Sequence, residues 1–247
     1  MIGNGQLTRA LIVIGGHAPM SQALAYLDPD TVIICADSGL DHALALGLTP
    51  NVFLGDMDSV SAVSLERSRH ENWEIITHDS DKDQTDTELA LAYAVAHNFQ
   101  HVTLLWGSGD RIDHILGVMA ALADPSLSVM KTLLAWIGSD RVEILHGPKK
   151  LDSTAPIGST LSLIPLGGSA HGVTTAGLMW NLDNEELSAH SARSVSNRVE
   201  KSSIQISINR GVLAIVYPGF LTTPQEHESS QQLNIPSPIE HHVLSSL

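Results

Sequence analysis

The chain has 247 residues, 43% of them hydrophobic and 16% charged, a make-up that excludes a disordered protein and allows a sizeable core. A formal net charge of −14 argues against a general nucleic-acid surface, although phosphates can still be held through metal ions. The one cysteine, Cys35, sits in the apolar run Val32-Ile33-Ile34-Cys35-Ala36 and reads as a buried thiol, with no intrachain disulfide and no cysteine-based zinc site.

Residues 10 to 137 alternate between apolar runs and helical patterns. Ala10 to Ile14 suits a buried parallel strand, ended by Gly15-Gly16, and Pro19 fits the first turn of a helix reaching about Leu27. Thr31 to Ala36 predicts a second strand, followed by Asp37-Ser38-Gly39. A helix through Leu40, Ala43, Leu44 and Leu46 should stop at Gly47. Asn51 to Leu54 is a third strand, ended by Gly55-Asp56-Met57-Asp58-Ser59. Ser61 to Arg69 is helical and Trp73 to Thr77 a fourth strand. Thr85 and Glu88 have capping-box spacing, which predicts a helix to about His97. His101 to Trp106 is a fifth strand, a helix runs through Ile115, Met119 and Leu122, and a sixth strand covers roughly Val129 to Trp136.

This alternation predicts a Rossmann-like parallel sheet with helices on its faces, over residues 1–139. From residue 140 to 220 only short runs appear, such as Val142 to Leu145, Thr160 to Ile164, Gly172 to Thr175, Ser203 to Ile208 and Val212 to Val216. Turn residues separate them, so a smaller all-β sandwich or barrel domain is expected. Residues 221–247 are rich in Gln, Ser, His and Pro and read as a disordered tail. The opening MIGNGQLTRA lacks the regions of a signal peptide, and the apolar runs are too short to span a bilayer. A cytoplasmic protein with no membrane partner is the expectation.

In parallel α/β sheets, ligands sit outside the carboxyl ends of the strands. The polar and glycine-rich stretches here all follow strands, so they converge on one rim. Asp56 and Asp58 offer oxygen ligands to a hard cation such as Mg²⁺. The loop Asp79 to Asp86 adds further acids. It is not an EF-hand, because Gln84 stands where that loop needs glycine and Ala90 where it needs glutamate. Part of its acidity suits a helix N-terminus; alternatively Asp83 or Asp86 joins Asp56 and Asp58 in a metal site. Gly107 to His114 supplies backbone amides and Arg111 for phosphate, although Arg111 and Asp113 could simply pair with each other. It is neither a Walker A loop nor a GxGxxG fingerprint. Together these groups suit phosphoryl or nucleotidyl chemistry on an Mg²⁺-bound nucleotide.

The same residues resemble the thiamine pyrophosphokinase family. Ala36-Asp37-Ser38-Gly39 is similar to its ADGG, Gly55 to Ser59 to its GDFDS, Lys82 to Asp86 to its KDQTD, and Arg111 to His114 to its RxDH. Further on, Thr174 to Leu187 and Ser194-Val195-Ser196-Asn197 are similar to a family stretch and its SxSN. Ser38 departs from a family glycine and Met57 from an aromatic. The resemblance implies an ATP- and Mg²⁺-binding α/β domain, a thiamine-binding β-sandwich, and a homodimer whose thiamine site lies at the subunit interface. It implies that Asp56, Asp58 and Asp83 hold Mg²⁺ and, with Asp86, form the catalytic set. Asp37, Gln84, Thr85, Arg111 and Asp113 would face ATP; Trp180, Ser194, Ser196 and Asn197 would meet thiamine. The expected reaction transfers a pyrophosphoryl group from ATP to the thiamine hydroxyl and releases AMP. Two other readings stand beside it: an enzyme of the same fold with another acceptor or a simple nucleotide hydrolase, and a non-catalytic nucleotide-sensing or assembly protein.

Overall fold

The computed structural model describes residues 8–79, 81, 83–109 and 111–222. The tail expected over 221–247 therefore lies, from residue 223 on, outside the described residues, as does Lys82 of the KDQTD stretch. The chain is a mixed α/β protein built on one large sheet with few helices.

The first half is β1 (Arg9–Val13), β2 (Val32–Ala36), α1 (Gly39–Ala45), β3 (Val52–Gly55), α2 (Ala62–His70), β4 (Glu74–Thr77), α3 (Asp86–Ala96), β5 (His101–Trp106), α4 (Ile112–Ala121) and β6 (Thr132–Ile137). Short 3₁₀ helices cover Ser21–Tyr26 and Pro125–Val129. The strands pair in parallel in the order β4-β3-β2-β1-β5-β6. β2 and β3 are buried at every position, as continuous apolar runs in a sheet covered on both faces must be. Successive strand residues point to opposite faces. Thus Ile12, Ile34, Leu54 and Leu104 pack with Ala90 and Ala94 of α3 and Val118 of α4, while Leu11, Ile33, Phe53 and Leu105 pack with Leu40 and Ala43 of α1.

Local chemistry sets the helix limits. At the end of α1 the Leu48 amide donates to the Ala43 carbonyl and the Gly47 amide to Leu44, with Gly47 at φ +75°. This Schellman closure needs a left-handed residue, which glycine supplies. At the start of α3 the capping box is present in both directions: the Glu88 amide donates to Thr85 Oγ1 at 3.2 Å, and the Thr85 amide donates to Glu88 Oε2 at 2.7 Å.

The second half is β7 (Asp140–His146), β8 (Lys149–Thr154), β9 (Thr160–Ala176), β10 (Glu185–Leu187), β11 (Asn197–Arg198), β12 (Ser203–Ile208) and β13 (Arg210–Tyr217). Two expected strands, Thr160 to Ile164 and Gly172 to Thr175, are one 17-residue strand, β9. It pairs with β13 through residues 162–166 and with β12 through residues 174–176, with a bulge near His171. A separate apolar core, including Leu161, Leu163, Val173, Ile204, Ile206 and Leu213, fills this half. The sheet does not stop between the halves. β7 pairs antiparallel with β6, and the hydrogen-bonded path runs on through β13, β9, β12 and β8. No helix among the described residues is long and apolar enough to cross a membrane.

Candidate active site

The strand order reverses at β1: the chain works outward through β2, β3 and β4, then crosses back to place β5 on the other side of β1. A crevice opens at the carboxyl ends of strands at such a switch point. Here it is a cleft of about 370 Å³, within the ~300–1,000 Å³ range of small-molecule sites. Its walls include Gly15 and Gly16 after β1, Asp37 and Ser38 after β2, Ser59 after β3, Thr85 and Asp86 at the start of α3, and Asp113 and His114 on α4. Two glycines keep the loops on either side of the crevice close. A Cβ on Gly16 would lie 2.4 Å from Trp106 Nε1, and one on Gly107 would lie 2.2 Å from the His17 carbonyl oxygen.

Three carboxylates gather beside this cleft. Asp37, Asp56 and Asp58 can each present an oxygen within 4.8 Å of the others. Pairing of β2 with β3 brings them together across 19 residues of sequence separation: Ala36 is opposite Leu54, and the Asp37 amide donates to the Leu54 carbonyl at 2.9 Å. Asp37 and Met57 are held at φ +49° and +66°, a region costly for residues with side chains. Gly55, at φ +140°, leaves only 3.2 Å between a hypothetical Cβ and Asp86 Oδ1. Ser38 takes an ordinary φ of −60°, so serine fits there without backbone strain.

The electrostatics favour a cation. Asp58 has its pKa raised, first by the charge of Asp56, then by desolvation, and further by Asp37 and Asp86. One oxygen of Asp37, Oδ2, accepts from the Ser59 hydroxyl; the other, Oδ1, is buried with no hydrogen-bond partner. An orphaned carboxylate oxygen in a cluster of like charges is what a hard divalent ion would satisfy, and the donors are all oxygen, as Mg²⁺ requires.

Asp83 and Gln84 are exposed in the loop before α3 and neither lines the cleft; Asp83 stands outside the three-carboxylate group. Thr85 and Asp86 do line it, at the positive end of the α3 dipole. Arg111 pairs with Asp113, Nη2 to Oδ2 at 2.5 Å and Nε to Oδ1 at 3.2 Å, and this pairing lowers the Asp113 pKa. Arg111 itself does not line the cleft; the pairing holds its planar guanidinium beside Asp113, which does.

In the antiparallel half, Trp180, Ser194, Ser196 and Asn197 form a second group, and none of them lines the cleft. Buried Asn197 clamps Trp180 from both sides: its Oδ1 accepts the Trp180 amide at 3.2 Å and its Nδ2 donates to the Trp180 carbonyl at 2.8 Å. The Ser196 amide donates to Ser162 Oγ at 2.9 Å, and Ser194 and Ser196 both sit at positive φ. Trp180 as a residue is 58% exposed, with Met179 and Val195 also on the surface. The family resemblance places Asp37 with ATP and not with the metal-binding acids, and gives Ser59 no role of its own. The one available signal was that Asp37, like Asp56, directly follows an apolar strand.

An acidic cluster able to hold a cation, beside a switch-point cleft with a helix N-terminus in its wall, has the make-up of a phosphoryl-transfer enzyme of the α/β class. The family model described as "Thiamin pyrophosphokinase, catalytic domain" matches residues 23–134, and that described as "Thiamin pyrophosphokinase, vitamin B1 binding domain" matches residues 144–213. Thiamine pyrophosphokinase of Bacillus subtilis (strain 168) is 27% identical over 207 residues, covering 83% of this chain and 96% of that protein. Thiamine pyrophosphokinase 1 of Oryza sativa subsp. japonica is 26% identical over 224 residues, covering 80% and 83%. The crystal structure of thiamine pyrophosphokinase from Bacillus subtilis superposes with a TM-score of 0.73 at 24% identity, covering 85% of this chain and 98% of that one, which shows a shared fold. The chain belongs to the thiamine pyrophosphokinase family.

Proposed function

We propose that the chain is a thiamine diphosphokinase: it transfers the diphosphoryl group of ATP to the hydroxyl of thiamine, giving thiamine diphosphate and AMP. The observation that carries this reading is the Asp37–Asp56–Asp58 cluster at the switch-point cleft of a chain that both family models match. In line attack of the thiamine hydroxyl on the β-phosphorus of ATP breaks the bond to the α-phosphate oxygen, and AMP leaves with that oxygen. A Mg²⁺ bound by Asp56, Asp58 and Asp37 or Asp83 would offset the charge on the phosphate oxygens.

The chain's own groups divide the remaining work. The N-terminal amides of α3, behind Thr85 and Asp86, face phosphate favourably. Arg111, with Gln84 at the loop edge, reaches for phosphate oxygens, and Asp113 fixes the guanidinium plane. Exposed Trp180 offers a π face to the cationic rings of thiamine, held outward by the Asn197 clamp, while Ser194 and Ser196 border it. Because this group lies apart from the cleft lining, we assign the complete site to a homodimer, with Trp180 of one subunit serving the cleft of the other. In that arrangement the parallel half is the ATP domain and the antiparallel half the thiamine domain. We also place its action in the cytoplasm.

Incubation with Mg²⁺, ATP and thiamine, followed by separation of products, tests the assignment. Thiamine diphosphate and AMP in equal amounts are expected. ADP formation, or ATP loss that does not depend on thiamine, contradicts it and favours another acceptor or a hydrolase.

A further inference from the structure

A second cavity, of about 330 Å³, opens at the opposite rim of the same sheet and shares no lining residue with the cleft. One wall is the amino-terminal edge of β1, β5 and β6, where register sets Arg9 beside His101 and His101 beside Thr132. The other wall is the β7–β8 hairpin. Five of the chain's 13 lysines and arginines line this one cavity: Arg9, Lys131, Arg141, Lys149 and Lys150. Such a concentration in a chain of net charge −14 is far from an even spread.

The three acids in the lining already have cations. Arg9 Nε is 3.0 Å from Asp28, Arg141 Nη2 is 2.5 Å from Glu143, and Lys150 Nζ is 3.3 Å from Asp152. Two cations remain in excess. Lys149 donates only to a neutral acceptor, the Met130 carbonyl, at 2.6 Å, and Lys131 has no carboxylate partner among the described residues. The surplus is felt nearby: His101 has its pKa lowered by burial and then by the charges of Arg9 and Lys131, against a smaller opposing effect of Asp28. Between these cations the walls are partly apolar, with Leu27, Leu134 and Leu151 in the lining.

We propose that this cavity binds a small phosphorylated organic molecule, its phosphate at Lys131, Lys149 and Arg9 and its apolar body against Leu27, Leu134 and Leu151. Two unmatched cations balance the dianion of a phosphate monoester, and charge-assisted hydrogen bonds to phosphate are the strong ones. The leucines in the walls give an organic body apolar surface to bury against, a gain inorganic phosphate lacks. This site is independent of the assignment of the carboxyl-rim cleft.

Phenyl phosphate, the simplest ring carrying a phosphate, is the probe. Titrated into the full chain and followed by amide chemical shifts, it is expected to give saturable shifts at residues 131–134 and 149–152. Lys131 is exposed, so Lys131→Glu should fold normally and bind at least about tenfold more weakly, the loss expected when a charged hydrogen-bonding group is reversed. Lys150→Glu, whose lysine is also exposed, should weaken binding less because its charge is already paired. Inorganic phosphate should bind more weakly than phenyl phosphate. Shifts confined to the carboxyl rim, shifts that do not saturate, or undiminished binding by Lys131→Glu would overturn the proposal, as would equal affinity for the two phosphates.

Discussion

The two rims of one sheet carry opposite chemistry. At the carboxyl rim, loops of glycine, aspartate and serine converge on an acidic cluster beside a cleft. At the amino rim, lysines and arginines surround a cavity whose walls are strand ends and a hairpin. The difference shows how strand direction sorts charge. Parallel strands place all their outgoing loops on one side, so residues far apart in sequence add to a single potential there. On the other side Arg9 and Lys131, at the starts of β1 and β6, meet the lysines of the β7–β8 hairpin.

The contrast breaks most sharply at the acidic cluster. Asp58→Asn should cut turnover by roughly 100-fold or more, the scale expected when a charge-stabilising metal contact worth several kcal/mol is lost. The same variant should melt at a higher temperature than the parent in the absence of divalent ions, because it removes one member of a group of mutually repelling carboxylates. Mg²⁺ should raise the parent's melting temperature and do so much less for the variant. Near-normal activity, or an equal Mg²⁺ effect on both, would remove Asp58 from the cation site.

Backbone changes at the same rim come next. A Cβ on Gly39, where α1 starts, would lie 2.1 Å from the Val13 carbonyl oxygen. Gly39→Ala should therefore destabilise the protein by about 1–3 kcal/mol in urea unfolding, as overpacking does. Thr85→Ala removes the N-cap of α3 and should cost about 1 kcal/mol, with a matching loss of affinity for nucleotide if that helix end faces phosphate.

The smallest effect is expected at the amino rim. His101 has a lowered pKa in the folded chain, so folding is penalised once the pH falls below the ordinary histidine range and the unfolded chain takes the proton more readily. Stability should fall in that acid window. Lys131→Ala should lessen the loss and move the His101 titration upward in NMR, and an unmoved titration would show that the surplus charge is not felt there.

The parallel half was legible because each buried strand ends in punctuation. Gly15-Gly16, Asp37-Ser38-Gly39 and Gly55 stop apolar runs, and the Thr85–Glu88 pair marks a helix start that the structure reproduces. The antiparallel half was less so. Gly167-Gly168 looked like a turn, yet β9 continues past it: the two glycines, at φ +65° and +157°, fall in the bulge where pairing with β13 shifts register. Lys149–Thr154 showed no apolar run and was not predicted; it is an edge strand, held by pairing to β12, with its lysines on the border. The clustering of Asp37 with Asp56 and Asp58 was likewise out of reach of spacing, since it depends on which strands become neighbours. The continuity of the sheet from β6 into β7 was also hidden, because turn residues at Gly138-Ser139 read equally as a boundary between domains.

The function proposed for the carboxyl-rim cleft requires it to move two phosphates at once. ATP radiolabelled at its β-phosphorus tests this most directly when supplied with thiamine and Mg²⁺. The label should appear in thiamine diphosphate and be absent from AMP. Label remaining in ADP, or released with no labelled thiamine diphosphate formed, would contradict it.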